Sequence, residues 1–308
     1  MLPVVMKNFV LHLRGERLSE KTIRQYEINL RDFVSGVFNG REPELDEYDN
    51  LTTTEFMKWL KEIGEEKDLS ASSLNQRIAT LRKFYTYLMG MKVVTVNTPS
   101  MIGTIKSDTL FSRVVLTKKE VVSLTAKARK ISEESNYSYT AHRNEMIVNL
   151  FIGTGLRIEE LHKINVSDIN IETGQFTVVG KRGKVRTVFL PSSKLPLLQG
   201  YLKLRGLQKS RFDDALFLSR QSKKGSYRLS IDQIRNVVVD LAQKAQVKPI
   251  TPHSLRHTHA TISIQSGVDI IDVSKNLGHS TISITEKIYI HQTNESARRV
   301  AEAMNDIF

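Results

Sequence analysis

The 308-residue sequence contains no cysteine. It can therefore form neither a disulfide bond nor a thiolate metal site, which is typical of proteins from reducing compartments. It also lacks any apolar run of the roughly 18 to 20 residues that a membrane helix requires. Its first residues, MLPVVMKNFVLHLRG, lack the pattern of a secretory signal. We therefore expect a cytoplasmic protein with no membrane partner.

Acidic residues are scarce in the later part of the chain. Residues 1–110 contain 15 basic and 15 acidic residues, whereas the remainder contains 30 basic and 18 acidic residues. The whole net charge of +12 therefore lies after residue 110. A basic domain favours a polyanion, and nucleic acid above all, as its partner. A charge that serves only solubility would give the same composition.

The length is typical of two domains, and the hydrophobic pattern supports a division. Apolar residues recur at helical spacing in LSEKTIRQYEINLRDFV, LTTTEFMKWLKEIG and SASSLNQRIATLRKFYTYLMG, and a weaker helix is predicted at about residues 3–14. The segment 96–113 lacks such periodicity and contains proline and glycine. The predicted organisation is a helical domain at 1–95, a linker at 96–113 and a second domain at 114–308.

The second domain is predicted to be mainly helical with a small antiparallel sheet. Two β-rich runs, QFTVVG and VRTVFLP, flank the basic turn KRGK and indicate a hairpin. Helical patterns surround the glycine turn in NEMIVNLFIGTGLRIEELHKI and continue in SIDQIRNVVVDLAQKAQV, with a break predicted at 131–143. In TPHSLRHTHATISIQSG, Thr251 is the predicted N-cap and Pro252 the first helical residue. The tail ESARRVAEAMNDIF is predicted to form a last amphipathic helix.

His253 and Arg256 are three residues apart in that helix and therefore share one face. They lie in its first turn and a half, where free N–H groups and the helix dipole favour a phosphate. An arginine can hold two phosphate oxygens at once. A surface helix that happens to carry histidines would show the same pattern. A zinc site is disfavoured because no glutamate follows the first histidine, although His257 lies four residues from His253.

Two further segments place polar groups near turns. Arg157 follows a glycine turn, where backbone can approach a ligand closely, and Glu160 can orient its guanidinium or carry a proton. A simple surface ion pair is the alternative. The hairpin turn holds Lys181, Arg182 and Lys184, which are candidates for phosphate contacts or for protonating a leaving oxygen. Composition alone does not choose between the two lysines.

The N-terminal domain has its acidic residues clustered between Glu42 and Asp68. A DNA-facing surface is therefore expected elsewhere, and Arg77, Arg82 and Lys83 on the third strong helix are the candidates. These residues would equally suit an ordinary solvated face.

The motifs TGLRIEEL, VVGKRGKVRTVFLP, HSLRHTHAT and LGHSTISIT, followed by a tyrosine, occur in the order and close to the spacing seen in the tyrosine recombinases, or phage-type integrases. The chain resembles this family, particularly its two-domain Xer-like members, over nearly its whole length. The N-terminal helices look like the core-binding domain of the family. The resemblance implies a site-specific DNA recombinase that cuts and rejoins strands through a 3′-phosphotyrosyl intermediate, with neither a cofactor nor a metal.

The resemblance also implies which residues would hold the scissile phosphate. They are Arg157, His253 and Arg256, each at a matching position of the motifs. Glu160 matches an acidic position that supports the site.

The remaining roles concern proton transfer and attack. Lys181 would be the general acid, because the catalytic lysine of the family opens this hairpin. His279 takes a position held by His or Trp in the family, and Tyr289 would be the nucleophile.

The implied partners are double-stranded DNA and further copies of the chain, four of which would act on two DNAs. The tail helix, with Val300, Ala301, Met304 and Phe308 on one side, resembles the segment that docks on a neighbouring protomer in this family; packing on its own domain is the alternative. An accessory directionality or DNA-bending protein is a further expected partner, and the nucleoid the expected location. Integration, excision and dimer resolution all remain open.

Two other functions share parts of this pattern. A type IB topoisomerase uses similar residues but relaxes DNA without joining two sites. A non-catalytic DNA-binding regulator on the same fold would not need the tyrosine. An RNA-binding helical protein is disfavoured because no aromatic-studded sheet is predicted.

Overall fold

In a computed structural model, the chain forms two compact units, residues 1–112 and 113–308. The structure describes residues 2–16, 18–106, 114–180, 183–208, 214–219 and 227–278. The helix predicted for the C-terminal tail lies outside these ranges. Among the helices that are described, none is long and apolar enough to cross a membrane.

The first unit is helical, as the sequence predicted. Its helices are α1 (Val4–Gly15), α2 (Glu20–Val37), α3 (Leu45–Asn50), α4 (Thr53–Glu66) and α5 (Ala71–Gly90), followed by a short 3₁₀ helix at Thr98–Met101. The short α3 was not predicted, because its acidic sequence shows no apolar period and only Tyr48 of its residues is buried. A capping box between Glu44 and Glu47 starts it instead.

Helices α2 and α4 each begin directly after a polar residue whose side chain accepts a backbone N–H of the first turn. The Ser19 side chain accepts the N–H of Thr22 at 3.1 Å and caps α2. At α4, Thr52 Oγ1 accepts the N–H of Glu55 at 3.3 Å, while Glu55 Oε2 accepts the N–H of Thr52 at 2.8 Å. This reciprocal pair is the capping box that the spacing predicted.

Aromatic rings fill the core of the first unit. The Phe33 ring stacks on Phe56 with centroids 5.6 Å apart and meets Trp59 edge-on at 5.4 Å. Gly36 on α2 faces the Trp59 indole so closely that a Cβ there would overlap the ring. The glycine therefore lies inside a helix, at some cost in helix propensity, because the indole occupies the space.

Part of the segment predicted as a linker packs on the first unit. Residues Thr98–Met101 form a helical turn. The Asn75 side chain donates to the Ile105 carbonyl at 2.8 Å and accepts its N–H at 2.9 Å. Loss of periodicity does not distinguish a linker from an irregular segment that side chains hold through its backbone. The remaining residues, 107–113, lie outside the described ranges.

The second unit combines helices with a small sheet, which confirms the predicted mixed fold class. Its helices are α6 (Lys118–Glu134), α7 (Tyr139–Thr154), α8 (Ile158–Lys163), α9 (Leu195–Gly206), α10 (Ile231–Lys244), α11 (Pro252–Gln265) and α12 (Ile270–Leu277). Its strands are β1 (Ile169–Asn170), β2 (Gln175–Val179) and β3 (Val185–Phe189), which form an antiparallel sheet in the order β1-β2-β3. The predicted helix break at 131–143 shortens to the four residues between α6 and α7.

Helix α7 is the centre of the second unit. Residues 145–151 are all buried, and the helix packs against α6, α9, α10 and α11. It ends at Gly155, whose φ of +66° favours glycine. A Cβ at this position would also collide with His259 and Leu277. The chain can therefore turn here and deliver Arg157 against α11 and α12.

His259 on α11 joins the ends of α7 and α12. Its Nδ1 lies 2.8 Å from the Ile152 carbonyl oxygen, and its Nε2 lies 3.1 Å from Asn276 Nδ2. Because a carbonyl oxygen only accepts, Nδ1 carries the ring proton and Nε2 accepts from the amide. Burial lowers the pKa of His259 below its usual value, and the charge of Arg256 acts in the same direction.

We expect His259 to make the second unit less stable in mild acid. Its pKa is depressed in the folded state, so the unfolded chain takes up the proton first as the pH falls through about 6.5. The stability that the neutral ring contributes is thus present above that pH and is lost as the pH falls towards the folded pKa. Thermal melts at about pH 7.5 and about pH 5.5 should show a smaller loss on acidification for His259→Gln than for wild type. His12→Gln, at an exposed position, should behave as wild type. Equal losses in wild type and His259→Gln would contradict the assignment.

Candidate active site

The buried carboxylate of Glu160 gathers arginines from three different elements. Glu160 lies in the first turn of α8 and is only 4% exposed. Arg157 and Arg186 both donate to it, and Arg256 lies 4.0 Å away. Three cations and one carboxylate leave this cluster, which we call the Glu160 cluster, with a net positive charge suited to an anion.

Arg157 is the N-cap residue of α8. Its backbone N–H donates to Glu160 Oε2 at 2.8 Å, and its Nη1 donates to Glu160 Oε1 at 3.0 Å. The same guanidinium donates to the carbonyls of Leu277 at 3.3 Å and Gly278 at 3.1 Å. The side chain remains 34% exposed. It is therefore anchored on one side and open to a ligand on the other, which agrees with the glycine turn seen in the sequence.

Arg256 lies deeper, with 4% of its surface exposed. Its Nη1 donates to the Gly155 carbonyl at 2.8 Å, and its Nη2 donates to the Leu277 carbonyl at 2.6 Å. Burial lowers its pKa to about 9, with the charge of Arg157 as the next cause. The guanidinium stays protonated at neutral pH and lacks a full counter-charge, so a bound phosphate would stabilise it.

Glu160 remains ionised despite its burial. Burial acts to raise its pKa, but hydrogen bonds from the Arg186 side chain and the Arg157 backbone outweigh that effect and hold the pKa below its usual value. The carboxylate is thus a fixed negative charge behind the guanidinium groups.

His253 lies on α11, three residues before Arg256 and exposed. The helix begins as predicted, with the Thr251 side chain as N-cap and Pro252 in the first turn. The His253 Nε2 lies 2.9 Å from His257 Nε2, so one ring donates and the other accepts. His257 therefore bonds locally, to a residue one turn earlier on the same helix. Among the described residues, no three His, Asp or Glu side chains are grouped to hold a metal ion.

Four predicted site residues, Lys181, Arg182, His279 and Tyr289, lie outside the described residues. The elements that lead to them border the Glu160 cluster. A Cβ at Gly180, one residue before the hairpin lysine, would lie 3.6 Å from Glu160 Oε1. The carbonyl of Gly278, which ends α12, accepts from Arg157.

Arg186 on β3 was not among the residues predicted from the sequence. Its Nη1 and Nη2 donate to the two oxygens of Glu160 at 2.6 and 2.8 Å, and its Nε donates to the Asn276 carbonyl at 2.7 Å. A signal was present: Arg186 and the buried Val188 are two apart on β3 and therefore face the same side of the sheet. An arginine on the inner face of a strand usually has an acidic partner.

The basic residues of the N-terminal unit are largely engaged within it. Arg77 is 6% exposed and donates to Asp32 Oδ2 at 2.6 Å. Arg82 donates to the backbone carbonyl of Pro99 at 3.2 Å and to that of Ile102. Lys83 pairs with Glu16 at 2.7 Å but is more exposed, and Lys184 of the hairpin is exposed. Helical spacing did not reveal that two of these cations face inward. That these residues contact DNA stays a prediction.

The two units match two known sequence profiles. The profile of the phage integrase family matches residues 114–296, and that of the phage integrase N-terminal SAM-like domain matches residues 6–92. The tyrosine recombinase XerC of Pelobacter propionicus is 31% identical over 289 residues, which are 93% of this chain and 90% of that protein.

Solved structures share the fold. The Tn1549 transposon integrase in complex with transposon right end DNA superposes with a TM-score of 0.76 at 20% identity, over 98% of this chain and 99% of that one. A lambda integrase dimer bound to a COC' core site gives 0.69 at 19% identity, over 91% and 95%. Since both profiles match and the XerC relative aligns over nearly the full length, the chain belongs to the phage integrase family and is a tyrosine recombinase.

Proposed function

We propose that this tyrosine recombinase uses Tyr289 to cut double-stranded DNA at a specific site and to rejoin it through a 3′-phosphotyrosyl intermediate. The observation that carries the proposal is the convergence of Arg157 and Arg256 on the end of α12, which directly precedes His279 in the sequence. These two guanidinium groups are held by backbone and carboxylate before any DNA arrives.

The arginines retain donors for a phosphate. A guanidinium has five N–H groups. Bonds within the described residues use three on Arg157 and two on Arg256. The transition state places extra negative charge on the non-bridging oxygens. A fixed donor aimed at such charge typically contributes about 10²–10³ in rate. His253, one turn earlier on α11, is the third proposed phosphate ligand.

Tyr289 and Lys181 complete the proposed chemistry. A phenol with a pKa near 10 is a poor nucleophile at neutral pH, and nearby arginines favour its ionised form. Attack on phosphorus breaks the bond to the 5′-oxygen, which takes a proton from Lys181 and leaves as a hydroxyl. The phosphotyrosyl ester retains the energy of the phosphodiester, so a 5′-hydroxyl from another strand can reverse the step.

The assembly on DNA belongs to the same proposal. Solved DNA complexes of the Tn1549 and lambda integrases support duplex DNA as the partner, the latter as a dimer. We extend this to four protomers on two DNAs, joined by the C-terminal helix, with an accessory directionality or DNA-bending protein as a further partner. That helix lies outside the described residues.

DNA contacts outside the cluster are best sought at cations with solvent-accessible side chains, and Lys83 and Lys184 are such residues. Both are proposed phosphate contacts, together with Arg182 of the same hairpin sequence, which lies outside the described residues. Arg77 and Arg82 already donate within their unit, which supports a structural role for both. A lysine on the surface can exchange an exposed ion pair for a phosphate at little cost.

The proposed nucleophile can be tested with a nicked duplex prepared from DNA that flanks the gene, so that cleavage traps the adduct. Wild type should give a covalent protein–DNA band on a denaturing gel, and Tyr289→Phe should give none, because phenylalanine has no oxygen to attack phosphorus. Tyr137→Phe, at an exposed tyrosine of the α6–α7 turn, is the matched control and should behave as wild type. Tight binding by wild type with no adduct would favour the regulator. Relaxation of a plasmid that lacks the site would favour the topoisomerase.

The general acid can be identified by comparing the two hairpin lysines. Lys181→Ala should slow cleavage by about 10²–10⁴, since the 5′-oxygen would leave unprotonated. Lys184→Ala should change the cleavage rate of bound DNA little. A substrate with sulfur at the 5′-bridging position should restore Lys181→Ala, because a thiolate leaves without a proton. The assignment is wrong if Lys184→Ala is the variant that sulfur restores.

Substitutions in the first unit should distinguish a basic residue that stabilises the fold from one that contacts DNA. Arg77→Ala removes the buried partner of Asp32, which keeps its bond to the more exposed Lys67 at 2.6 Å, and should destabilise the unit by about 1–3 kcal/mol. Lys83→Ala should change stability by less than about 0.5 kcal/mol but weaken DNA binding and lower the salt slope by about 1. Thermal melts and binding titrations over a salt series measure both effects. A stable Arg77→Ala protein with a reduced salt slope would contradict the structural role.

A further inference from the structure

Arg186 is the one member of the Glu160 cluster for which neither the motifs nor the proposed mechanism has a role. It reaches the cluster from β3, five residues after the proposed general acid in sequence. Its side chain is mostly buried, and its bonds to the two oxygens of Glu160 form a bidentate fork. Such a pair has one favoured geometry and holds the carboxylate in a defined orientation.

The same side chain also holds the end of α12. The carbonyls at the C-terminus of a helix lack partners within it. Here the carbonyl of Asn276 accepts from Arg186, that of Leu277 from Arg157 and Arg256, and that of Gly278 from Arg157. The guanidinium of Arg186 packs on Gly278, where a Cβ would lie 3.3 Å from it. Arg186 therefore ties the hairpin to the residue that directly precedes His279.

The charge balance shows what would happen without Arg186. Glu160 is nearly fully buried, and a buried carboxylate needs close cationic partners. The remaining candidates are Arg157, which already contacts it, and Arg256 at 4.0 Å. Both are proposed to bind the scissile phosphate, and a carboxylate in need of partners would compete with that phosphate for their donors.

We propose that Arg186 is a positioning residue of the recombination reaction: it holds Glu160 and the end of α12 so that Arg157 and Arg256 keep their orientation and their donors for the scissile phosphate. The proposal rests on the proposed function of these two arginines. Arg186 itself touches neither the DNA nor Tyr289 in this role, and acts through Glu160 and the backbone of α12.

The decisive test is whether neutralising the Glu160 carboxylate restores cleavage in a variant that lacks Arg186. On the nicked duplex that gives an adduct with wild type, Arg186→Gln should cleave about 10²-fold more slowly at saturating protein, the cost of small misplacement in a catalytic site. Glu160→Gln in the same chain removes the competing carboxylate. The double variant should recover at least about tenfold, or about 1.4 kcal/mol of barrier. A role limited to packing the hairpin predicts no rescue.

Two controls bracket this result. Arg228→Gln removes a partly buried arginine of the same unit whose described bonds go to the carbonyls of His162 and Ile164 and to the Asn165 side chain. Glu160→Gln should not rescue any defect it causes. Arg186→Lys keeps the charge but loses the fork, so its cleavage rate should lie between those of wild type and Arg186→Gln. Arg186→Lys is also the variant to test if Arg186→Gln does not fold.

The proposal is overturned if Arg186→Gln cleaves at the wild-type rate, or if the folded double variant is no faster than Arg186→Gln. Urea melts without DNA test the pairing of Arg186 with Glu160 independently of cleavage. They therefore distinguish failure of this proposal from failure of the proposed function. The melting midpoints of wild type, the two single variants and the double variant should be non-additive, because the pair is in direct contact. If wild type forms no adduct, the proposed function fails, and additive midpoints would then overturn the pairing of Arg186 with Glu160 as well.

Discussion

The rest of the site depends on the ion pairs that the buried Glu160 carboxylate forms with arginines. Its burial is costly, and arginines on α8 and β3 compensate for it. A third arginine, on α11, lies nearby. The same cations bind the last carbonyls of α12, so one acidic residue organises four separate elements. A tyrosine recombinase has to stabilise negative charge on phosphate, and this arrangement keeps positive charge in place before DNA binds.

The position of the cluster follows from the end of α7. The helix is buried on nearly all sides, and its glycine terminus leaves space for His259 and Leu277. The carbonyl of Gly155 accepts from Arg256, and two residues later Arg157 caps α8. The end of this central helix is thus where two guanidinium groups meet that come from positions about a hundred residues apart in the chain.

Local patterns predicted most of the elements, and the order of the motifs predicted the family. Ser19, Thr52 and Thr251 start helices because capping depends on neighbours in the sequence. The six-residue α3 and the packed segment near Asn75 were missed, since their order comes from contacts across the unit rather than from apolar periodicity. Of the predicted catalytic residues, the structure brings Arg157, Glu160 and Arg256 together, with His253 one turn away on α11.

The clearest difference between the sequence-based prediction and the structure is that some cations face inward. In the sequence, Arg77 belongs to an amphipathic helix and Arg186 to a basic hairpin. In the structure, Arg77 pairs with a carboxylate 45 residues away in sequence, and Arg186 pairs with one 26 residues away. By itself, the sequence determined the helical first domain and the mixed helix-and-hairpin second domain, and it supplied the candidate residues for binding phosphate. Only the tertiary structure decided which cations remain exposed and which hold a buried carboxylate, because burial and charge compensation arise between elements that are distant in the chain.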